Sequence, residues 1–253
     1  MIGFGPLLRK ELLEQWRTRR MLVVTIVFVI FGIGSPFLAR YMPEIIEALA
    51  GDQLDIVVPP PTARDAVDQF LKNLGQAGIL TAVLLAMGSV ATEKERGTAA
   101  LILSKPASRG AYLLAKLLGI GITLAVAVVL AGIGAWIYTT LLFEAQPAIG
   151  WAAMLGMLLL SLVAYVGLTF LGSVLTRSAM AAAAIGVGGM VLVAIVGALP
   201  TIGTYTPGGL TQPALAVALG TDAGDLIGPV LATSAGVVAL AVISWLAFRN
   251  QEL

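Results

Sequence analysis

The sequence predicts an all-α polytopic membrane protein with six transmembrane helices in a single domain, residues 1–253. Three observations predict it. The chain is 58% hydrophobic and only 11% charged, with a mean hydropathy of +0.97, whereas a soluble domain carries about 25% charged residues. Six apolar runs, at about 21–38, 75–91, 117–142, 151–175, 180–199 and 226–248, approach or exceed the roughly 20 residues that a bilayer core demands. None has a charge near its centre.

The third observation is how the charges are placed. Arg9, Lys10, Arg17, Arg19 and Arg20 precede the first run, and Lys94, Arg96, Lys105, Arg109 and Lys116 lie between the second and third. Arg177 separates the fourth and fifth, and Arg249 follows the sixth. Twelve of the fifteen basic residues thus fall on one side, leaving Arg40, Arg64 and Lys72 on the other among several acids. Basic loops stay in the cytoplasm, so both termini are expected there, which agrees with an even number of crossings. The first run reads as an uncleaved anchor, because Phe37-Leu38-Ala39-Arg40 is a poor small-x-small cleavage site.

Cysteine and histidine are absent. Disulfides, the usual zinc sites, His or Cys haem ligation and His- or Cys-based catalytic dyads are therefore excluded.

Residues 3–20 form an amphipathic lead-in. Gly5-Pro6 is a favoured opening for a helix. Leu8, Leu12 and Trp16 recur at four-residue spacing, with Lys10, Glu14 and Arg17 on the opposite face and Lys10–Glu14 as an i,i+4 pair. Such a helix lies in the headgroup plane, either as a generic anchor or with a specific role.

Residues 92–112 form a charged loop punctuated by glycine and proline. Arg96-Gly97-Thr98 is expected to break the second span, with Thr98 capping a short helix over 99–103 that Lys105-Pro106 ends. Ser108 then caps the next helix. Leu101, Ile102 and Leu103 give the short helix an apolar tip, a liability in water unless a partner or the protein itself covers it. Glu93, Lys94, Glu95 and Arg96 serve equally well as a solvated helix end or as a link to a neighbouring element.

The pattern Glu93-x-x-x-Gly97-Thr98, a short apolar helix, then Ser104-x-Pro106-x-Ser108-Arg109, resembles the signature of ABC-2 type transporter permeases, the membrane subunits of ABC exporters. The resemblance implies that 99–103 is a coupling helix seated in a cleft of a separate ATPase. It assigns that contact to Glu93, Glu95, Arg96, Gly97, Thr98, Leu101, Ile102, Leu103, Pro106, Ser108 and Arg109. It also implies that Leu8, Leu12 and Trp16 belong to an elbow helix flanking the contact, and that Lys116 matches a recurrent basic position. The wider pattern of spans, Arg177-Ser178 and the Arg249 tail supports it more weakly.

The other face has two connections. Residues 40–74 hold Pro43, expected to start a short helix over 44–50, a stiff Pro59-Pro60-Pro61 stretch, and a Thr62/Asp65 capping box ahead of Val67, Phe70, Leu71 and Leu74. This segment reads as a packed lid or as a docking site for an external partner. Residues 200–225 are almost uncharged and broken by Pro207, Gly208, Gly209 and Pro213, with a short helix expected over 213–219 and Asp225 capping the last span. The resemblance implies a re-entrant pair of short helices there.

The chain has no Gly-x-x-x-x-Gly-Lys-Ser/Thr phosphate loop and no mid-span acid or arginine to relay protons. These absences leave the energy to a separate ATPase, and the resemblance implies the function expected here: the permease subunit of an ATP-driven ABC exporter, not itself an enzyme. It is expected to work as a homodimer in a prokaryotic cytoplasmic membrane with two ATPase subunits that bind the ATP and Mg²⁺. No cofactor, metal, catalytic residue or nucleic acid is expected in this chain. Met180 and Met190 read as packing residues. The alternative is a non-transporting scaffold that passes ATPase motion to an external partner. A membrane-embedded hydrolase lacks visible catalytic groups.

Overall fold

The computed structural model describes residues 3–50, 59–104 and 106–251. The described residues are helical with no strand, and six helices are long and apolar enough to cross a membrane. The chain begins with α1 (Phe4–Arg17), which starts one residue before Gly5-Pro6 because Gly3 turns the backbone at φ 82°. Then comes α2 (Arg20–Ala50), 31 residues long with Pro36 and Pro43 inside it. Pro43 therefore does not start a separate helix, and α2 runs through it to Ala50.

The segment 51–58 lies outside the described residues. Pro59 to Thr62 carry no regular structure, and α3 (Ala63–Ala86) opens on the expected capping box, Thr62 and Asp65 bonding reciprocally. Val67, Phe70, Leu71 and Leu74 are all buried along its inner face. Asn73 donates to the Ser35 hydroxyl at 2.9 Å, which ties α3 to α2.

The second span breaks earlier than expected, at Met87–Val90, and resumes as α4 (Ala91–Glu95). Gly97 at φ 69° then turns the chain into α5 (Thr98–Leu103), so Gly97 and not Thr98 holds the cap position. Thr98 instead donates its hydroxyl to the Glu93 carbonyl at 3.2 Å, satisfying a carbonyl that the break leaves open. Lys105 lies outside the described residues. Ser108 accepts from the Ala111 N–H, as expected, and caps α6 (Arg109–Leu142), whose 34 residues extend about 51 Å.

The remaining spans are α7 (Ala148–Leu175), α8 (Ala179–Gly197) and α10 (Ile227–Arg249). Small residues set their spacing. A Cβ on Gly32 of α2 would lie 2.6 Å from the Ala131 carbonyl of α6, and one on Gly186 of α8 would lie 2.3 Å from Thr169 Oγ1 of α7. The chain from α8 to α10 folds inward through 3₁₀ turns at Gly203–Tyr205 and Pro207–Leu210 and through α9 (Thr211–Ala218). Ser161, about 20 Å along α7, donates to the Pro207 carbonyl at 2.8 Å, and Leu210, Ala214, Leu215 and Ala218 are buried. The Asp225 carboxylate accepts from the Ile227 and Gly228 N–H groups and caps α10 as expected.

Candidate functional site

The middle of α1 and the ends of α4, α6, α7 and α10 meet around the loop that holds α5. At the centre stands Glu93 on α4. Its carboxylate accepts from Lys116 at 2.8 Å, Lys10 at 2.9 Å and the Tyr112 hydroxyl at 2.6 Å. Lys116 also reaches Glu11 at 3.1 Å, and Lys10 bonds Glu11 at 2.9 Å and Glu14 at 3.1 Å. The Lys116 side chain is only 3% exposed and its ammonium also lies over the Tyr112 ring. A buried ammonium is tolerable only when paired and hydrogen-bonded, and this one has two carboxylates. The hub thus joins α1, α4 and α6.

Burial works against the charge on Lys10, but the hydrogen bonds and charges of Glu93 and Glu11 outweigh it and hold its pKa above the usual lysine value. The i,i+4 bond to Glu14 is the expected one. Lys10 also turns inward, since its long stem carries the ammonium to Glu93. Oxygens of Glu11, Glu14 and Glu93 lie within 4.8 Å of one another, a spacing that suits a cation. The Lys10 ammonium, bonded to all three, already supplies it.

Two further connections fix α4. The Ser173 hydroxyl of α7 accepts from the Val90 and Ala91 N–H groups at 3.1 and 3.0 Å and donates to the Met87 carbonyl at 2.8 Å. It thereby serves the backbone groups that the Met87–Val90 break frees. Lys94 donates to the Val174 carbonyl and to Gln251, and Gln251 donates to the same carbonyl. Arg109 donates from Nη1 to the carbonyls of Phe248, Arg249 and Gln251, neutralising the C-terminal end of α10. Tyr112 stacks on Phe248 with centroids 5.5 Å apart.

The loop residues singled out in the sequence separate into two groups. Glu93, Thr98, Ser108 and Arg109 are joined to the hub or the helix ends. Glu95, Arg96 and Pro106 are exposed, and Gly97 turns the chain. Leu101 is 69% exposed, while Ile102 and Leu103 are half-buried against the core, so the apolar tip is one leucine rather than three. On α1, Leu8 and Leu12 are half-buried and Trp16 is 65% exposed. The face that α1 turns to the bundle runs instead through Leu7, Glu11 and Gln15. A Cβ on Gly119 of α6 would lie 3.2 Å from Glu11 Cβ. Glu11, Tyr112 and Ser173 are not among the site residues that the sequence marks. The Glu11 and Gln15 interruptions, four residues apart beside an apolar stripe, were the available signal.

Six long apolar helices with a charged, tightly bonded hub beside α1 and the last turn of α10 define a multi-pass membrane protein. The chain belongs to the ABC-2 family transporter proteins, whose family model matches residues 6–215. It is therefore a transmembrane permease of the ABC transporter class. It is similar to the uncharacterized transmembrane protein YxlG of Bacillus subtilis (strain 168), 32% identical over 252 residues and 97% of each chain. It is also similar to the probable ABC transporter permease protein NosY of Stutzerimonas stutzeri, 32% identical over 188 residues, 71% of this chain and 63% of that one. NosY of Pseudomonas aeruginosa is 31% identical over 144 residues, 56% of this chain and 47% of that one.

Proposed function

We propose that this chain is the permease subunit of an ATP-driven exporter, paired with a second copy and with two ATPase subunits that bind ATP and Mg²⁺. In this reading α1 is the elbow helix and α5 the coupling helix, and both lie on the cytoplasmic side with the termini. The observation that carries it is Leu101, an exposed leucine on a six-residue helix whose Ala99 is buried and whose Ile102 and Leu103 pack against the core. An exposed leucine backed by a rigid frame suits insertion into a cleft of another protein.

The frame supplies a mechanism. Force on α5 passes through the Thr98–Glu93 bond into α4. From there Glu93 leads to α1 and α6, Ser173 to α7, and Lys94 with Gln251 to the end of α10. Closure of the ATPases would thus move several spans together. The exposed apolar faces of α2 and α8, including Ile30, Val187, Val191 and Ile195, suit lipid or the second copy.

The test is co-purification. The tagged chain, co-expressed with an ABC ATPase of its own organism, should retain that ATPase in detergent and raise its ATP hydrolysis in proteoliposomes. An ATPase that neither binds nor responds to the chain would contradict the proposal.

A further inference from the structure

A cavity of about 450 Å³ opens beside the hub, walled by α1, the Met87–Val90 break, α5 and α6 and reaching the starts of α2 and α8. Its titratable lining is four cations, Lys10, Arg20, Arg96 and Lys116, against three carboxylates, Glu11, Glu14 and Glu93. All three carboxylates are engaged by Lys10 or Lys116. The Arg20 and Arg96 guanidinium groups have no hydrogen-bonding or ion-pair partner among the described residues, so the uncommitted charge on the wall is positive.

The wall also holds Gln15, which is 8% exposed and whose Oε1 has no hydrogen-bond partner. A buried amide oxygen is ordinarily satisfied, so this one lacks a donor. On the bilayer side the lining turns apolar through Leu84 and Leu85. Leu84 and Leu80, one turn apart on α3, are 65% and 67% exposed and continue an apolar strip from the cavity along the span.

We propose that this cavity binds the headgroup of an anionic, hydroxylated phospholipid. Arg20 and Arg96 meet the phosphoryl oxygens, a headgroup hydroxyl donates to Gln15, and an acyl chain lies along Leu84 and Leu80. Guanidinium forks match phosphate oxygens, and basic pockets between spans recognise anionic headgroups. The apolar strip favours a lipid over free phosphate. Thr98 and Ile102 share the same wall, so an occupied site would brace α5 against the bundle.

The full chain alone, in neutral detergent, is titrated with phosphatidylglycerol or phosphatidylcholine while thermal unfolding and native mass are followed. No ATPase is present, so the outcome is separate from the proposed coupling. Phosphatidylglycerol should bind and raise the unfolding midpoint, and phosphatidylcholine should not. The double variant Arg20→Ala/Arg96→Ala should lose roughly tenfold or more in apparent affinity. Arg9→Ala/Arg17→Ala, removing the same charge from exposed positions on α1, should keep it. Equal response to the two lipids, equal loss in both double variants, or full displacement by inorganic phosphate would each overturn the proposal. The lipid comparison on the unaltered chain decides even if a variant fails to fold.

Discussion

Glu93 and Lys116 meet at 2.8 Å, joining the short helix beyond the broken second span to the long third span. Because Lys116 is almost fully enclosed, the pair is costly to break from one side only. Glu93→Ala should destabilise the detergent-solubilised protein by about 3 kcal/mol, toward the low end for such pairs because Glu11 still faces Lys116. Lys116→Met added to Glu93→Ala should recover much of the loss. A double-mutant cycle in thermal or denaturant unfolding measures the coupling, and additive losses would show that the pair does not act as a unit.

Ser173 holds the break in the second span from α7. Ser173→Ala leaves two buried N–H groups without their acceptor and should cost about 1–3 kcal/mol. Hydrogen exchange should rise locally at Val90 and Ala91. A variant with unchanged exchange there would show that another group can serve the break.

Gly32 permits α2 to rest on α6. Gly32→Val would drive a side chain into the Ala131 backbone and should cost about 1–3 kcal/mol, whereas Gly34→Val, with open space at its Cβ, should cost little. The difference between the two unfolding midpoints is the readout.

The natural absence of cysteine makes the orientation directly measurable. Single substitutions Ser104→Cys and Glu144→Cys, both at exposed positions, should be labelled from opposite sides of the membrane. In whole cells an impermeant maleimide should reach position 144 and not position 104.

Much of the fold is legible because the dominant signal is local. Apolar runs give the six spans, and the caps at Thr62, Ser108 and Asp225 depend on residues within three positions. The misread features depend on distant partners. The Met87–Val90 break contains the kink-prone pair Gly88-Ser89, but the group that satisfies it is Ser173, 83 residues away from Val90. Pro43 normally signals a helix start, yet here it lies inside α2, where only the Ala39 carbonyl loses its donor. In the site, Glu93 and the loop motif were visible, but the inward turn of Lys10 and Glu11 was not. A charged residue on an amphipathic helix reads as solvent-facing until its buried counter-ion is known.

The most direct test of Leu101 as the seat of the ATPase is a single charge placed at that side chain. Leu101→Glu should insert into the membrane and unfold at the wild-type midpoint, because the side chain is exposed, yet fail to retain the co-expressed ATPase. The control Glu144→Lys, at the other end of the bundle, should retain it. Full ATPase retention and stimulation by Leu101→Glu would contradict the coupling role proposed for α5.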